Sequence, residues 1–252
     1  YIVIGRYYSA TQLGQYTRAE QFSTIFSSNL TSVVQRVSYP VLSSIQEEPE
    51  RLRDAYRKII KVTMLITFAL MFGLAAIAKP LIVILIGEKW LMAVPFLQII
   101  CFSEMLYPLH AINLNILQVR GYSGLFLKLE IVKKIIAVIP IMIGIFWGIN
   151  YMLWGAVCIS LVSYILNSYY SGRLIDYSTV KQVKDIFPCF LVSSLVALLM
   201  WGITFLHFNF LVTLLLQVSV GILLAIVAYE RMRLEEYKEI RRIILSIIRK
   251  NS

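Results

Sequence analysis

The 252-residue sequence has few charged residues, few cysteines and none of the motifs of familiar enzymes. Charged side chains make up 15% of it, against roughly 25% in soluble domains, while 59% of its residues are hydrophobic. These values exclude an ordinary soluble domain and indicate a membrane protein. The three cysteines lie inside apolar runs without metal-ligand spacing, which indicates buried free thiols rather than a metal site or a disulfide.

Catalytic signatures are absent as well. The sequence contains no GxSxG, HExxH, P-loop or GxGxxG motif, and its two histidines, His110 and His207, are far apart. The chain is therefore predicted not to be an enzyme, not to hydrolyse nucleotide itself, and to need no cofactor. Its opening, Tyr-Ile-Val-Ile, has no basic segment or cleavage site typical of a signal peptide. We interpret it as the end of a helix, and the chain as a fragment.

Seven charge-poor stretches approach or exceed the roughly 20 residues that a membrane-crossing helix needs. They cover about 15–44, 62–86, 91–118, 125–148, 151–172, 187–207 and 209–229. The sequence therefore predicts an all-α polytopic membrane protein with about seven transmembrane helices. Residues 45–61 are predicted to form a separate short surface helix, because acidic residues lie near its start and basic residues near its end.

The net charge of +10 comes from basic residues concentrated in alternate connecting segments and the tail. This distribution is typical of a membrane protein and argues against binding of nucleic acid. Alternate connecting segments and the C-terminal tail hold 19 lysines and arginines, whereas the other set of segments holds 3. By the positive-inside rule, the 45–61 loop and the C-terminus are predicted to be cytoplasmic. The tail, 231–252, alternates basic and apolar residues, which predicts an amphipathic helix lying on anionic phospholipid of the inner leaflet.

Polar side chains follow one face of the first predicted span. Arg18 and Arg36 are 18 residues apart in the sequence, so helical geometry puts them on the same face, about 27 Å from each other. Asn29 falls within roughly 20° of the same line. A membrane helix with such a stripe is expected to face a wet interior, so these three residues are candidates for binding a polar substrate.

Further ionisable residues mark the third and fourth spans. Glu104 is the only acid in the third span, and Asn115 and Gln118 share its face at helical spacing. A carboxylate in a membrane is costly, so Glu104 is a candidate ion-coupling residue; the alternative is a structural ion pair with an arginine. Arg120 and Lys128 lie at the cytoplasmic mouth between these spans, where they would meet an entering phosphate. A solvated surface is the alternative there.

Several short motifs, in order, resemble those of a transporter family. They are Leu13-Gly14-Gln15-Tyr16-Thr17-Arg18-Ala19, Val37-Ser38-Tyr39-Pro40-Val41-Leu42-Ser43, Gly87-Glu88-Lys89-Trp90 followed by Ala93-Val94-Pro95, Leu117-Gln118 with Gly121, and the helix from Lys128 to Lys134. Over residues 5–135 the chain resembles the polysaccharide (O-antigen and capsule) flippases of the multidrug/oligosaccharidyl-lipid/polysaccharide (MOP) exporter superfamily. Beyond residue 135 only the hydropathy is similar.

The resemblance implies two pseudo-symmetric helical lobes around a central cavity, often with extra C-terminal helices. Residues 1–14 would then end a preceding helix and form an outer loop, 15–173 would form the C-terminal lobe, 174–230 would add two helices, and 231–252 would be the tail. The implied function is the flipping of oligosaccharide repeat units, linked to undecaprenyl diphosphate, across the bacterial inner membrane. Implied partners are that lipid carrier, a polysaccharide polymerase and glycosyltransferases.

Two other functions remain open from the residues alone. A multidrug antiporter of the same superfamily is expected to have a more apolar and acidic cavity than one bearing Arg18 and Arg36. A membrane-embedded glycosyltransferase or polymerase is expected to need long loops outside the membrane, and the predicted outer loops of this segment are short.

Overall fold

The structure is a computed structural model that describes residues 2–232 and Tyr237. Helices occupy most of these residues, and they contain no β-strand. The prediction of an all-α fold is therefore confirmed. The predicted tail helix, 231–252, lies almost entirely outside the described residues.

The α-helices follow one another through short connections. They are α1 (Ile2–Tyr7), α2 (Ala10–Ser44), α3 (Pro49–Ile86), α4 (Ala93–Glu104), α5 (Tyr107–Val119), α6 (Ser123–Ile136), α7 (Val138–Trp147), α8 (Ile149–Leu174), α9 (Thr179–Gly202) and α10 (Phe210–Arg231). Short 3₁₀ turns follow α3 and α9, at Glu88–Trp90 and Ile203–Leu206.

Four helical segments of the described chain are long and apolar enough to cross a membrane. They are Pro49–Ile86, Ile149–Leu174, Thr179–Leu206 and Phe210–Arg231. These segments make the chain a multi-pass membrane protein, as predicted. The other three predicted spans correspond to α2, to the pair α4 and α5, and to the pair α6 and α7. The total of about seven crossings and the division into lobe and extra helices stay predictions.

Two of the predicted spans are interrupted, and a proline accounts for each interruption. Proline has no N–H to donate to the carbonyl four residues before it, and its ring clashes with that carbonyl. Pro108 lies four residues after Glu104, where α4 ends, and Pro140 lies four residues after Ile136, where α6 ends. The interruptions therefore bring free backbone carbonyls to the ends of α4 and α6.

The prediction of a separate surface helix over 45–61 is wrong. The structure has one continuous helix, α3, that begins at Pro49 and runs for 38 residues to Ile86. Proline suits the first turn of a helix because the missing N–H would have no partner there. No glycine or proline follows until Gly73, so nothing in the sequence ends the helix before the membrane segment.

Helix α3 lies at the centre of the bundle and packs against α2, α4, α5, α9 and α10. An aromatic cluster joins it to α4 and α9. The ring of Phe72 lies 5.7 Å from that of Phe102 and 5.2 Å from that of Phe190, while Phe68 lies 5.4 Å from Phe190, all edge-to-face. Such pairs add to the packing of the buried helix faces.

Gly172, near the end of α8, allows the following turn to pack closely against the helix. A Cβ atom at this position would lie 2.6 Å from the backbone carbonyl oxygen of Tyr177, which cannot rotate away. We expect Gly172→Ala to lower the free energy of unfolding by about 1–3 kcal/mol, measured by denaturant titration in detergent. Gly202→Ala is the control, because a Cβ there meets no atom within 4 Å. Equal stability of the two variants would contradict this account.

Candidate functional site

A polar cavity of about 580 Å³ lies between α2, α4, α5, α6 and α8. Its volume is within the range of ligand-binding pockets, roughly 300–1,000 Å³. Its polar lining includes Gln35, Glu104, His110, Asn115, Gln118, Glu130, Lys133, Lys134 and Ser160. A cavity lined by amides, carboxylates, amines and an imidazole suits a polar or ionic ligand, so it is the candidate functional site.

Glu104 is the last residue of α4 and lies in the wall of this cavity. Its Oε2 accepts a hydrogen bond from the Oγ of Ser27 on α2, at 2.5 Å. No lysine or arginine of the described chain forms an ion pair with it. The structural alternative, an arginine partner, is therefore absent from this part of the chain, and the carboxylate faces the cavity beside a helix end. Interrupted helices of this kind hold ions and polar substrates in transporters.

Asn115 and Gln118 line the same cavity as Glu104, as their spacing predicted. The interpretation of the span 91–118 as one continuous helix is wrong, since Met105 and Leu106 separate α4 from α5. Asn115 is buried and its Nδ2 donates to the Oγ of Ser38 on α2, at 2.8 Å. Gln118 is exposed.

The polar stripe of α2 lies on the opposite side of that helix from its packing face. Arg18, Asn29 and Arg36 are exposed. The buried residues of α2 are Gln15, Ala19, Ser23, Ser27, Thr31, Val34, Ser38 and Leu42. Since this mostly small face packs against α4, α5 and α3, the stripe points away from the described bundle. Ile25 and Val33 are also exposed, each to 56%, so apolar side chains interrupt the stripe.

Arg18 is held at the beginning of α2 by the loop after α3. Its guanidinium carbon lies 5.4 Å from the ring centroid of Trp90, and its Nη1 donates to the Oε1 of Gln21 at 2.9 Å. The Nζ of Lys89 lies 5.8 Å from the same ring centroid. The Nε2 of Gln15 donates to the carbonyl oxygen of Lys89 at 2.8 Å. The Gly-Glu-Lys-Trp motif is therefore packed against α2, with two cations around one indole.

The structure does not bring the remaining predicted site residues into the cavity. The side chain of Asn29 donates to a carbonyl of its own helix at 2.6 Å, and the side chain of Arg36 makes no hydrogen bond or ion pair within the described chain. The Nη1 of Arg120 donates to the carbonyl oxygen of Gln46 at 3.0 Å, joining the end of α5 to the loop after α2. Lys128 is exposed on α6 and is not part of the cavity lining.

Sequence reasoning missed Ser27, which bonds to Glu104, and two lysines that line the cavity. Ser27 lies among small residues repeated every fourth position of α2, a spacing typical of close helix packing in membranes, and that signal could have identified the packing face. Lys133 and Lys134 look like residues at the end of a span, but α6 ends two residues later and places both in the lining. The Nζ of Lys133 donates to Glu130.

A second charged cluster joins α3 to α9 at the end of the bundle predicted to be cytoplasmic. The Nε and Nη2 of Arg57 donate to the two carboxylate oxygens of Asp185, at 2.5 and 2.8 Å. The hydroxyl of Tyr177 donates to the same carboxylate at 2.6 Å. This two-pronged geometry fixes the orientation of both helices. In the described part of the chain no three His, Cys, Asp or Glu side chains gather as metal ligands.

Comparison with known proteins finds similarity to proteins of polysaccharide biosynthesis. Residues 1–95 match the model of the family described as polysaccharide biosynthesis protein. The teichuronic acid biosynthesis protein TuaB of Bacillus subtilis (strain 168) is 25% identical over 223 residues, 87% of this chain. The lipopolysaccharide biosynthesis protein WzxC of Escherichia coli K12 is 25% identical over 143 residues, 57% of this chain. The resemblance to the polysaccharide flippase branch is confirmed.

These relatives are longer than this chain. The succinoglycan biosynthesis transport protein ExoT of Rhizobium meliloti (strain 1021) is 31% identical over 103 residues, which are 41% of this chain and 21% of ExoT. The matched regions are 46% of TuaB and 29% of WzxC. The chain thus spans less than half the length of these relatives. No solved structure matches the chain significantly.

Proposed function

We propose that this chain is the C-terminal lobe of a flippase in the bacterial inner membrane. Its substrate is an oligosaccharide repeat unit linked to undecaprenyl diphosphate, which moves from the cytoplasmic to the outer leaflet for surface polysaccharide biosynthesis. The C-terminus and the Arg57 end of α3 then lie in the cytoplasm, as the positive-inside rule predicts. Translocation breaks no covalent bond, so the protein needs binding groups and a driving ion rather than a catalytic group.

The outward face of α2 is the observation that carries this proposal. Arg18, Asn29 and Arg36 are exposed on the side of α2 opposite its packing face, and of the three only Arg18 contacts another described element, at Trp90. Arginine binds phosphate through two parallel charge-assisted hydrogen bonds, and an amide can bind sugar hydroxyls. A diphosphate-linked sugar presents both kinds of group. The stripe therefore suits this substrate better than it suits an apolar drug cation.

The cavity next to α2 supplies the second part of the proposal. Glu104 lies in its wall without a cationic ion-pair partner in the described chain, so the carboxylate is available to a driving cation or proton. Amide groups of Gln35 and Gln118 line the same space. Binding of an ion there can bias the lobe between two orientations only by binding one of them more tightly.

Removal of the full-length protein tests the proposal directly. A deletion strain is expected to lose surface polysaccharide and to accumulate lipid-linked repeat units in the inner leaflet, and a plasmid copy is expected to restore both. Purified full-length protein in liposomes is expected to move a fluorescent lipid-linked oligosaccharide between leaflets. A deletion strain with normal surface polysaccharide would overturn the proposal. Restoration of drug resistance without restoration of polysaccharide would instead support the multidrug antiporter.

A further inference from the structure

The imidazole of His110 is fixed in the cavity wall by two polar side chains of helix α8. His110 lies on α5 and lines the cavity. Its Nε2 lies 3.3 Å from the Oγ of Ser160 on α8, and its Nδ1 lies 3.5 Å from the Nδ2 of Asn167 on the same helix. The Oγ of Ser160 donates to the carbonyl oxygen of Ser103 at 2.8 Å. Both ring nitrogens therefore have a polar neighbour.

These contacts determine which ring nitrogen carries the proton of neutral His110. A serine hydroxyl has one hydrogen, and Ser160 donates it to the carbonyl of Ser103, so its Oγ can only accept from the imidazole. The proton of His110 therefore lies on Nε2. Nδ1 is then an acceptor, and the amide nitrogen of Asn167 donates to it through a long hydrogen bond.

The buried amide of Asn167 has one atom without a hydrogen-bond partner. The residue is 0% exposed, and its Oδ1 has no hydrogen-bond partner in the structure. A half-turn of the amide exchanges Oδ1 and Nδ2, which brings the oxygen to Nδ1 of His110. In that orientation Oδ1 accepts a hydrogen bond from the Nδ1–H of an imidazolium, while Nε2–H still donates to Ser160. Each orientation leaves one amide atom without a partner, so the same side chain serves both protonation states.

We propose that His110 is a proton-binding site of the cavity, held in both protonation states by Ser160 and a rotating Asn167 amide. Nδ1 takes up one proton from cavity water and later returns it, and no covalent bond to substrate forms. The role that we assign to this proton is to drive translocation, and this role rests on the proposed function. It deepens that function by naming the coupling ion as a proton rather than a metal cation.

Other charged groups of the cavity act on the same site. Glu104 on α4 attracts a positive imidazolium, whereas Lys133 and Lys134 on α6 repel it, and Glu130 on α6 forms an ion pair with Lys133. Tyr107 is the other titratable group that α5 adds to the lining. The residues that α2 and α8 contribute to the lining carry no titratable group.

Nitrogen-15 NMR of histidine in the full-length protein, reconstituted in lipid bilayers, tests the site without a transport assay. Signals are assigned by replacing each histidine with glutamine in turn. The Nδ1 signal of His110 is expected to change reversibly from unprotonated to protonated as the pH is lowered from about 8 to about 3, while Nε2 stays protonated throughout. A ring that does not titrate in this range, or a neutral ring protonated on Nδ1, would overturn the proposal.

A variant of Asn167 separates a proton site from an ordinary buried histidine. Asn167→Leu removes the oxygen that accepts from the imidazolium, so the proton affinity of His110 is expected to fall about tenfold or more. Ser163→Ala is the control, since Ser163 lines the same cavity on α8 without bonding to His110, and it is expected to leave the titration unchanged. Equal titration curves for Asn167→Leu and the unchanged protein would show that the amide does not serve the charged state.

A pH gradient across the liposomes tests the coupling role. Translocation by the unchanged protein is expected to respond to the gradient at least about fivefold, and His110→Gln, whose amide cannot titrate, is expected to lose that response. A full response in His110→Gln would overturn the coupling role. Absence of translocation by the unchanged protein would count against the proposed function, whereas the NMR titration decides the proton site separately.

Discussion

Surface polysaccharide is expected to fall to the background level when Arg36→Ala is introduced into the full-length protein, while the amount of protein in the membrane stays normal. Arg36 is exposed and its side chain makes no hydrogen bond or ion pair within the described chain, so its loss is expected to change stability by less than about 0.5 kcal/mol. Loss of a charge-assisted contact to phosphate is instead expected to weaken substrate binding by about tenfold to a hundredfold.

The neighbouring residue provides the control for this prediction. Val37 is 57% exposed on the same helix, and Val37→Ala is expected to leave polysaccharide unchanged. Arg36→Lys is expected to have an intermediate effect, because lysine keeps the charge but cannot form two parallel hydrogen bonds. Quantitative sugar staining measures the surface polysaccharide, and an immunoblot measures the amount of protein in the membrane. Normal polysaccharide with Arg36→Ala at normal protein level would exclude Arg36 as a substrate-binding residue.

Glu104→Gln is expected to remove most of the dependence of transport on the ion gradient. The amide has the shape of the carboxyl group and still accepts from Ser27, but it can neither ionise nor bind a proton. The gradient-dependent rate in liposomes is expected to fall by a factor of about 5–150, the usual range of coupling between two sites. Substrate binding in the absence of a gradient is expected to change little.

The other carboxylate of the cavity is the matched control for Glu104. Glu130 lines the same space but is paired with Lys133, so Glu130→Gln is expected to retain the response to the gradient. An unchanged gradient dependence in Glu104→Gln would remove Glu104 from the coupling mechanism. Loss of the response in both variants would assign coupling to the charge of the cavity as a whole.

The sequence predicts the helices well where they are long and apolar, but it does not predict where they break. Six prolines lie within the predicted spans or at their ends and also within the described helices, and one of them, Pro95, lies in the first turn of α4. Pro40, Pro80 and Pro188 lie inside the continuous helices α2, α3 and α9, whereas Pro108 and Pro140 coincide with interruptions. The difference depends on whether neighbouring groups satisfy the freed carbonyl, which is a property of the packed structure.

The candidate site was also only partly predictable from the sequence. Glu104, Asn115 and Gln118 could be grouped from their spacing alone, because they lie within 15 residues of one another. Their partners could not, since Ser27 and Ser38 come from α2 and meet them only through helix packing. The polar groups around His110 come from a helix about 50 residues further along the chain, and no local pattern links Ser160 and Asn167 to it.

The length of α3 has a mechanical consequence. Its 38 residues span about 57 Å, almost twice the roughly 30 Å of the hydrocarbon core, so a long part of it extends beyond the lipid. Arg57 and Phe68 attach α3 to α9 at two levels about 17 Å apart along its axis. Two such attachments resist rotation of one helix against the other. α3 and α9 are therefore expected to move as one rigid unit. A force on the part of α3 outside the lipid then also acts on the part inside the membrane.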